Sequence, residues 1–396
     1  MYSIYTGSKA IYAPSGSGSN YLVQNPRYQH EINKAGQLEF TMLPENPLYG
    51  KLKRLVSPIS LYRDNEEIWF GRVYSSESDF YNSEIITAEG ALAFLHDVTI
   101  RPFSVTFESG DVVRAYIEYI LRLYNSRIEE WKRIYPGNIT VTESNNYLYR
   151  YKDSYNDAFD VIMEHTVESS LGGYLSIRRK DGKTYLDYTV EAGETSDQTI
   201  QFGENLLDLS NYVTAENVYT VIIPVGKANG DRRLTIASVN DGKDYIESPE
   251  GVALFGHIER YVEYPDVTTA KWLKIIAQKQ LEFAIKQAVS INVKAVDLHL
   301  INPNISGFKH GTMVRVLSRP HGIDEYMLCR KVDINLNEPD DAVYTLGAEL
   351  ATLSGQQAQA QKGVVVVAGV AGMAAMTANT TWQLLLQKGE EDAYTG

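Results

Sequence analysis

The sequence predicts an α+β chain that is mainly β, built from two β-barrel domains with α+β inserts and a C-terminal arm. Three observations carry this reading. First, Ser290 to Gly347 is a meander of short strands: Ile291, Val293, Ala295 and Leu298 alternate with polar residues, as do Val314, Val316 and then Leu328. Turn chemistry punctuates it at Asn302-Pro303-Asn304, Pro320-His321-Gly322 and Glu338-Pro339-Asp340-Asp341. Second, Asn217 to Val225 alternates in the same way and a helical pattern separates it from Ser290, so the helix reads as an excursion from a barrel that resumes afterwards. Third, the start of the chain repeats the theme.

Residues 1–97 form the first expected barrel. Leu38, Phe40 and Met42 alternate after Gly36, and Ile59 and Leu61 follow Pro58. Asp64-Asn65 turns the chain, and Ile68, Phe70 and Val73 return it with an offset at Gly71 that reads as a bulge. Phe80 to Ser83 is a further turn, Glu84 to Glu89 a further strand, and Ala91 to Leu95 a helical turn. Tight turns between short strands are the pattern of a small closed barrel.

Residues 98–200 change period and read as an α+β insert. From Asp111 to Lys132 the apolar residues Val113, Tyr116, Ile117, Ile120, Tyr124, Ile128 and Trp131 recur at helical spacing, and Pro136-Gly137 stops the pattern. A second helix is expected from Ser154, where Ser-x-x-Asp157 resembles a capping box, through Phe159, Ile162, Met163 and Val167 to Gly172-Gly173. A hairpin turning at Asp181-Gly182 joins Tyr174–Ile177 to Tyr185–Tyr188. Residues 201–350 form the second barrel, with a helical excursion at about 240–290 (helix Val267 to Val289, with Trp272, Ile275, Ile276, Lys279, Phe283 and Ala288 on one face). Residues 351–396 differ in kind: a small, polar Gln/Ala stretch, the run Val364 to Met376, then Trp382 and three leucines. This arm reads as an oligomerisation segment whose Val364, Val365, Val366, Val367, Val370, Trp382, Leu384, Leu385 and Leu386 pack against other copies.

Composition excludes several classes. A chain of 396 residues exceeds one core and divides into domains. A net charge of -13 repels phosphate, so sequence-independent nucleic-acid binding is not expected. The single cysteine, Cys329, rules out an intrachain disulfide and a cysteine-rich zinc site, and its strand position predicts a buried thiol. Twenty-eight tyrosines suit half-buried strands and wet contact surfaces. Met1 to Gly7 lacks the basic and apolar regions of a signal peptide, and Val364 to Met376 falls short of the ~20 residues that span a bilayer. Synthesis in the cytoplasm is expected.

Catalytic patterns are missing. There is no Gly-x-Ser-x-Gly, His-Glu-x-x-His or Walker loop, and Ser15 to Ser19 is a flexible loop without the lysine of a phosphate cradle. His165 follows Glu164 without a second histidine one turn away, and His299, His310 and His321 fall on a strand and two turns. Asn240 to Asp244 departs from calcium-loop spacing and reads as an Asp-Gly turn. No catalytic, cofactor-binding or metal residue is assigned.

An ordered set of short segments points further: Phe70-Gly-Arg-Val73, the Asp79 to Asn82 turn, Ile86 to Asp97, Arg101-Pro-Phe103, Leu171 to Leu175, Tyr185 to Tyr188, Phe202 to Leu209, Ile222 to Gly226, Ser238 to Ile246, Lys294 to Leu300 and Arg319 to Gly322. Together, over roughly residues 20 to 350, they resemble the phage minor structural or prophage endopeptidase tail proteins, the tail-tip hub (tail-associated lysin) of long-tailed phages of Gram-positive bacteria. The resemblance implies a hub-like fold similar to that of contractile baseplates. In it, a homotrimer of barrel pairs makes a pseudo-sixfold ring that caps the tail tube and gates the DNA channel. It implies contacts with the distal tail protein and tail tube, the tape-measure protein, receptor-binding proteins and the host cell envelope, with DNA only in passage and a virion location. An acidic lumen suits DNA that must slide. Many relatives continue into a peptidase or glycan-degrading domain, and this sequence stops at Gly396, so no enzymatic role is expected. Two alternatives are a carbohydrate-binding tail protein and a peptidoglycan hydrolase whose catalytic domain is absent from this chain.

Overall fold

The computed structural model describes residues 1–14, 21–143, 146–169, 171–190, 194–213, 218–229, 232–264, 267–287 and 289–347. The Ser15 to Ser19 loop and the whole C-terminal arm lie outside the described residues. The first barrel region contains β1 (Tyr2–Thr6), β2 (Lys9–Tyr12), β3 (Gln24–Glu31), β4 (Gln37–Met42), β5 (Pro58–Arg63), β6 (Glu66–Ser78) and β7 (Glu84–Gly90). Asp64 and Asn65 both take positive φ, which sets the β5–β6 hairpin. The bulge expected at Gly71 falls instead between Val73 and Ser75 in the β6–β7 register. Gly71 is needed for a different reason: a Cβ there would sit 2.0 Å from the carbonyl oxygen of Glu89.

The insert opens with β8 (Thr99–Ile100) and β9 (Phe103–Phe107), followed by helix α1 (Val112–Asn125). Asp111 caps α1 by accepting from the Arg114 amide. Its buried face is Val112, Val113, Tyr116, Ile117, Ile120, Leu121 and Tyr124. The expected helix to Lys132 stops seven residues early, because the Asn125 amide group exchanges two hydrogen bonds with the backbone of Ile134 and turns the chain back. Trp131 still reaches the core, from a 3-10 turn, and packs on Phe70 and Phe94. Pro136-Gly137, expected to lie beyond a helix, is inside β10 (Ile134–Ile139). After β11 (Leu148–Lys152) and β12 (Asn156–Asp157), helix α2 covers only Ala158–His165. Its cap is Asp157 and not Ser154, whose hydroxyl bonds Asn156, and Gly172-Gly173 belongs to the loop beyond. The hairpin at Asp181-Gly182 joins β13 (Tyr174–Lys180) to β14 (Lys183–Thr189), as expected.

The second region begins with β15 (Thr195–Gln201) and β16 (Leu206–Val213). Here one sequence assignment fails. The strand β17 (Val221–Val225) is not in the barrel; it pairs with β20 (Ile246–Glu247) and β21 (Glu259–Glu263) in a small separate sheet. It is buried along most of its length and so reads as a run, the pattern of a strand covered on both faces. The same excursion holds the hairpin β18 (Ala228–Asn229) and β19 (Arg232–Arg233), helix α3 (Pro249–Phe255) and helix α4 (Ala270–Gln287). The buried face of α4 is Leu273, Ile276, Ala277, Leu281 and Ala284, one position round from the expected one, with Ile275 exposed. The barrel resumes with β22 (Val289–Ala295), β23 (Met313–Ser318), β24 (Ile323–Asn335) and β25 (Val343–Gly347). Leu328 was expected inside, but Val314 is buried and faces Met327, so Met327 and Cys329 point inward.

Most of these strands belong to one 13-stranded sheet. Its first half runs β3-β4-β7-β6-β5-β1 and its second β16-β22-β25-β24-β23-β15, the same order twice. Equivalent registers hold down to the residue. Phe40 faces Ile86 as Val293 faces Tyr344, and Leu38 faces Ala88 as Ile291 faces Leu346; all are buried. The β6–β7 bulge after Val73 has its counterpart after Cys329 in β24–β25. One strand departs: β1 is antiparallel to β5, whereas β15 is parallel to β23. The halves share one apolar core, and the insert has its own.

Candidate assembly surface

The two halves meet along a strand seam. β24 pairs antiparallel with β3, with Lys331 opposite Glu31, Asp333 opposite Gln29 and Asn335 opposite Arg27. Arg27 grips Asp333 with two hydrogen bonds of 2.7 Å, and Gln29 donates to the same carboxylate at 2.6 Å. Burial pushes Asp333 up, but these bonds more than offset it and hold the carboxyl below its usual range. The seam extends through the Ile32 amide to the Arg330 carbonyl (2.9 Å) and the Leu336 amide to the Pro26 carbonyl (2.8 Å).

Beneath it lies a buried ion pair, Arg63 of β5 with Asp297 after β22, at 3.3 Å with both side chains 5% exposed. Asp297 also accepts from Gln198 (2.7 Å), the Phe308 amide (3.0 Å) and the His299 amide (3.0 Å), so its charge is well solvated by protein. Gly307 makes this possible: a Cβ there would lie 2.2 Å from the Arg63 guanidinium. His30 of β3 stacks on His310 at 3.6 Å between ring centroids. Burial lowers both histidines; the Lys309 charge adds to the effect at His310, which falls to about 4.

The three histidines clustered in sequence do not meet. His299 bonds Asp64 at 2.9 Å, His310 stacks on His30, and His321 shares a 2.6 Å hydrogen bond with Ser318. The Ser318–His321 pair is a local turn contact, three residues apart across a 3-10 turn. His165 bonds Tyr116 inside the insert at 2.7 Å. Cys329 is buried, and burial pushes its thiol up to about 12, so it stays protonated. The group His96, Asp157 and Asp160 brings ligand-type atoms within 4.8 Å of one another. Asp157 is already engaged there, capping α2 and bonding His96 at 2.9 Å.

Two exposed aromatic features were not singled out from sequence. At the β6–β7 tip Phe80 is 94% and Tyr81 83% exposed, on a turn fixed by Asp79 accepting from the Tyr81 and Ser83 amides. On β11, Tyr149 and Tyr151 are exposed while the alternating Leu148 and Arg150 are buried, and Tyr147 and Tyr155 extend the row. The period-two alternation in Tyr147-Leu-Tyr-Arg-Tyr151 was the available signal. The candidate oligomerisation residues Val364 to Val367, Val370, Trp382 and Leu384 to Leu386 lie outside the described residues.

Comparison with known proteins now places this architecture. Residues 194–357 match the family model described as prophage endopeptidase tail. The 43 kDa tail protein of prophage MuSo2 from Shewanella oneidensis aligns over 88% of this chain and 98% of its own, at 12% identity and a TM-score of 0.61. A tail protein from Neisseria meningitidis aligns over 89% and 98%, at 13% identity and a TM-score of 0.58. Prophage tail protein gp18 from Listeria monocytogenes aligns over 91% and 98%, at 14% identity and a TM-score of 0.54. Comparison with curated proteins gives no match. Residues 194–357 thus match the prophage endopeptidase tail model by sequence, and the chain has the mainly β fold of prophage tail proteins.

Proposed function

We propose that this chain is a structural component of a phage or prophage tail tip, a hub whose copies form a trimeric ring that caps the tail tube and gates the DNA channel. The observation that carries the reading is the internal repeat: two halves of one curled sheet with the same strand order, joined side by side through β24 and β3. Three such chains present six equivalent units, the number that suits a sixfold tube. On this reading the domains divide as 1–97, 98–200, 201–350 and 351–396, with β15 moving the second boundary back to residue 194; the partners are the distal tail and tape-measure proteins, and Val364 to Leu386 serve association with other copies. Mass photometry of the full chain, with electron microscopy of particles, is the test. Trimeric rings at the tail tip are expected; a protein that stays monomeric alone and with tail partners sinks the reading.

A second reading, recognition of a host-surface glycan, draws on the exposed row Tyr147, Tyr149, Tyr151 and Tyr155. It requires sugar-dependent binding of the isolated protein to host cells, and substitution of Tyr149 and Tyr151 by Ser must abolish that binding.

A further inference from the structure

We infer that the outer edge of β6 in one copy pairs with the free edge of β16 in a second copy, in the register that β24 and β3 use within the chain. The inference rests on the ring reading for the number of copies, but its residues come from the repeat itself.

The correspondence is set by the paired bulges. Val73 stands where Cys329 stands, since the register breaks immediately after each. Up to that point the two edges are also bonded alike. Val73 exchanges hydrogen bonds with Ser57 (3.0 Å) and Leu55 (2.7 Å), and Cys329 with Thr312 (2.8 Å) and Gly311 (2.7 Å). Beyond it they differ. From Arg330 to Leu336 the edge of β24 is taken by β3. From Tyr74 to Phe80 the same edge of β6 carries no strand among the described residues; the Arg54 side chain bonds the Ser76 carbonyl.

Exposure follows the vacancy. Tyr74 is 57% exposed, while its counterpart Arg330 is 7% exposed inside the seam. Phe80 is 94% exposed and its counterpart Leu336 4%. A long strand edge bordered by a rigid exposed aromatic is a liability in a monomer, and natural sheets cover such edges. The complementary edge is β16, the counterpart of β3. Asn211 faces Ile291 as Tyr28 faces Leu38, and Tyr212 faces Ser290 as Gln29 faces Gln37. Where β3 receives β24, β16 ends the sheet among the described residues.

Carrying the seam register across places Glu77 opposite Tyr212, as Asp333 is opposite Gln29, and Ser76 opposite Val213, as Val332 is opposite His30. The contact joins different surfaces of the two copies, so it is heterologous, and repetition makes a ring if the rotation closes. The Phe80 amide then donates to the start of β16 as the Leu336 amide donates to the Pro26 carbonyl.

The test is disulfide trapping in the full chain. Glu77→Cys combined with Tyr212→Cys should oxidise to covalent oligomers up to a closed trimer, and a mixture of the two single variants should stop at a covalent dimer. Glu77→Cys with Asn211→Cys, one residue out of register, should not cross-link. Separately, Phe80→Asp with Tyr74→Asp should weaken association about tenfold or more without changing the melting temperature of the monomer. Native-size rings that never form the Glu77–Tyr212 bridge, or that survive Phe80→Asp with Tyr74→Asp unchanged, would overturn the inference and leave the ring reading standing. A chain that neither cross-links nor leaves the monomer state overturns both.

Discussion

Arg72 illustrates how single residues bind the insert to the first barrel. Its side chain is buried and bonds Glu89 at 2.8 Å and Asp97 at 2.8 Å, with Lys132 completing the cluster at 3.2 Å from Asp97. Burial raises Asp97, but the Arg72 bonds and charge more than offset this and hold it below the usual carboxylate range. Arg72→Ala would leave Asp97 facing Lys132 alone and take the guanidinium from Glu89, so a loss of ~3–5 kcal/mol is expected in urea unfolding. Combining it with Asp97→Asn should cost less than the sum of the single changes. The stacked pair His30–His310 makes a pH prediction. Both groups sit below their ordinary value of 6.5, His310 at about 4, so the unfolded chain binds more protons between those values. Stability therefore rises with pH across that window and is lost as pH falls from 6.5 toward 4. Lys309, held at 3.2 Å by Glu66, faces the pair and opposes its protonation. His310→Phe should flatten the melting temperature between pH 7 and pH 4.5; an unchanged slope would place the pH dependence elsewhere.

At the scale of elements, α1 and the turn that follows it divide the work of filling the insert core. Ile120 is fully buried, and Ile120→Ala should cost ~2–5 kcal/mol. Trp131 is only partly buried, packed edge-on against Phe70 and Phe94, so Trp131→Ala should cost less than the ~3–5 kcal/mol of a fully buried aromatic. Thermal unfolding of the two variants checks the order. Gly90 is a steric requirement of the β7 end, where a Cβ would lie 1.8 Å from the Ala35 carbonyl oxygen. Gly90→Ala should therefore destabilise the β3–β4 turn, although alanine is smaller than any other side chain that could replace it.

For the whole molecule, the repeat converts one fold into a unit with a filled seam inside and, on our reading, an unfilled one at each end. Removing residues 353–396 is expected to leave folded barrels and weaken association, on the proposal that the arm is an oligomerisation segment. Unchanged oligomer mass after truncation would remove the arm from assembly. The chain is also expected not to clear peptidoglycan in a zymogram; clearing that co-purifies with the intact chain would restore the hydrolase alternative.

Local chemistry made much of this legible in advance. Period-two alternation named Leu38, Phe40, Ile59, Leu61, Ile291, Val293, Val314 and Val316, all buried, because a strand with one covered face must alternate. Asp64-Asn65 and Asp181-Gly182 marked hairpins because few residues take positive φ. The ordered motifs also pointed to the tail-protein family now matched over residues 194–357. What periodicity could not decide was partnership. The strand at Val221 was legible, yet whether it joined the barrel or a separate sheet depended on contacts far along the chain. The α1 stop came from one asparagine meeting Ile134, and no local pattern encodes that encounter. The seam has the same character: Arg27 and Asp333 are each ordinary surface residues in sequence, and only the fold brings them within 2.7 Å. Sequence determined which residues turn inward along most barrel strands, whereas tertiary structure alone decided which edges meet, because edge pairing is made by backbone groups that every residue shares.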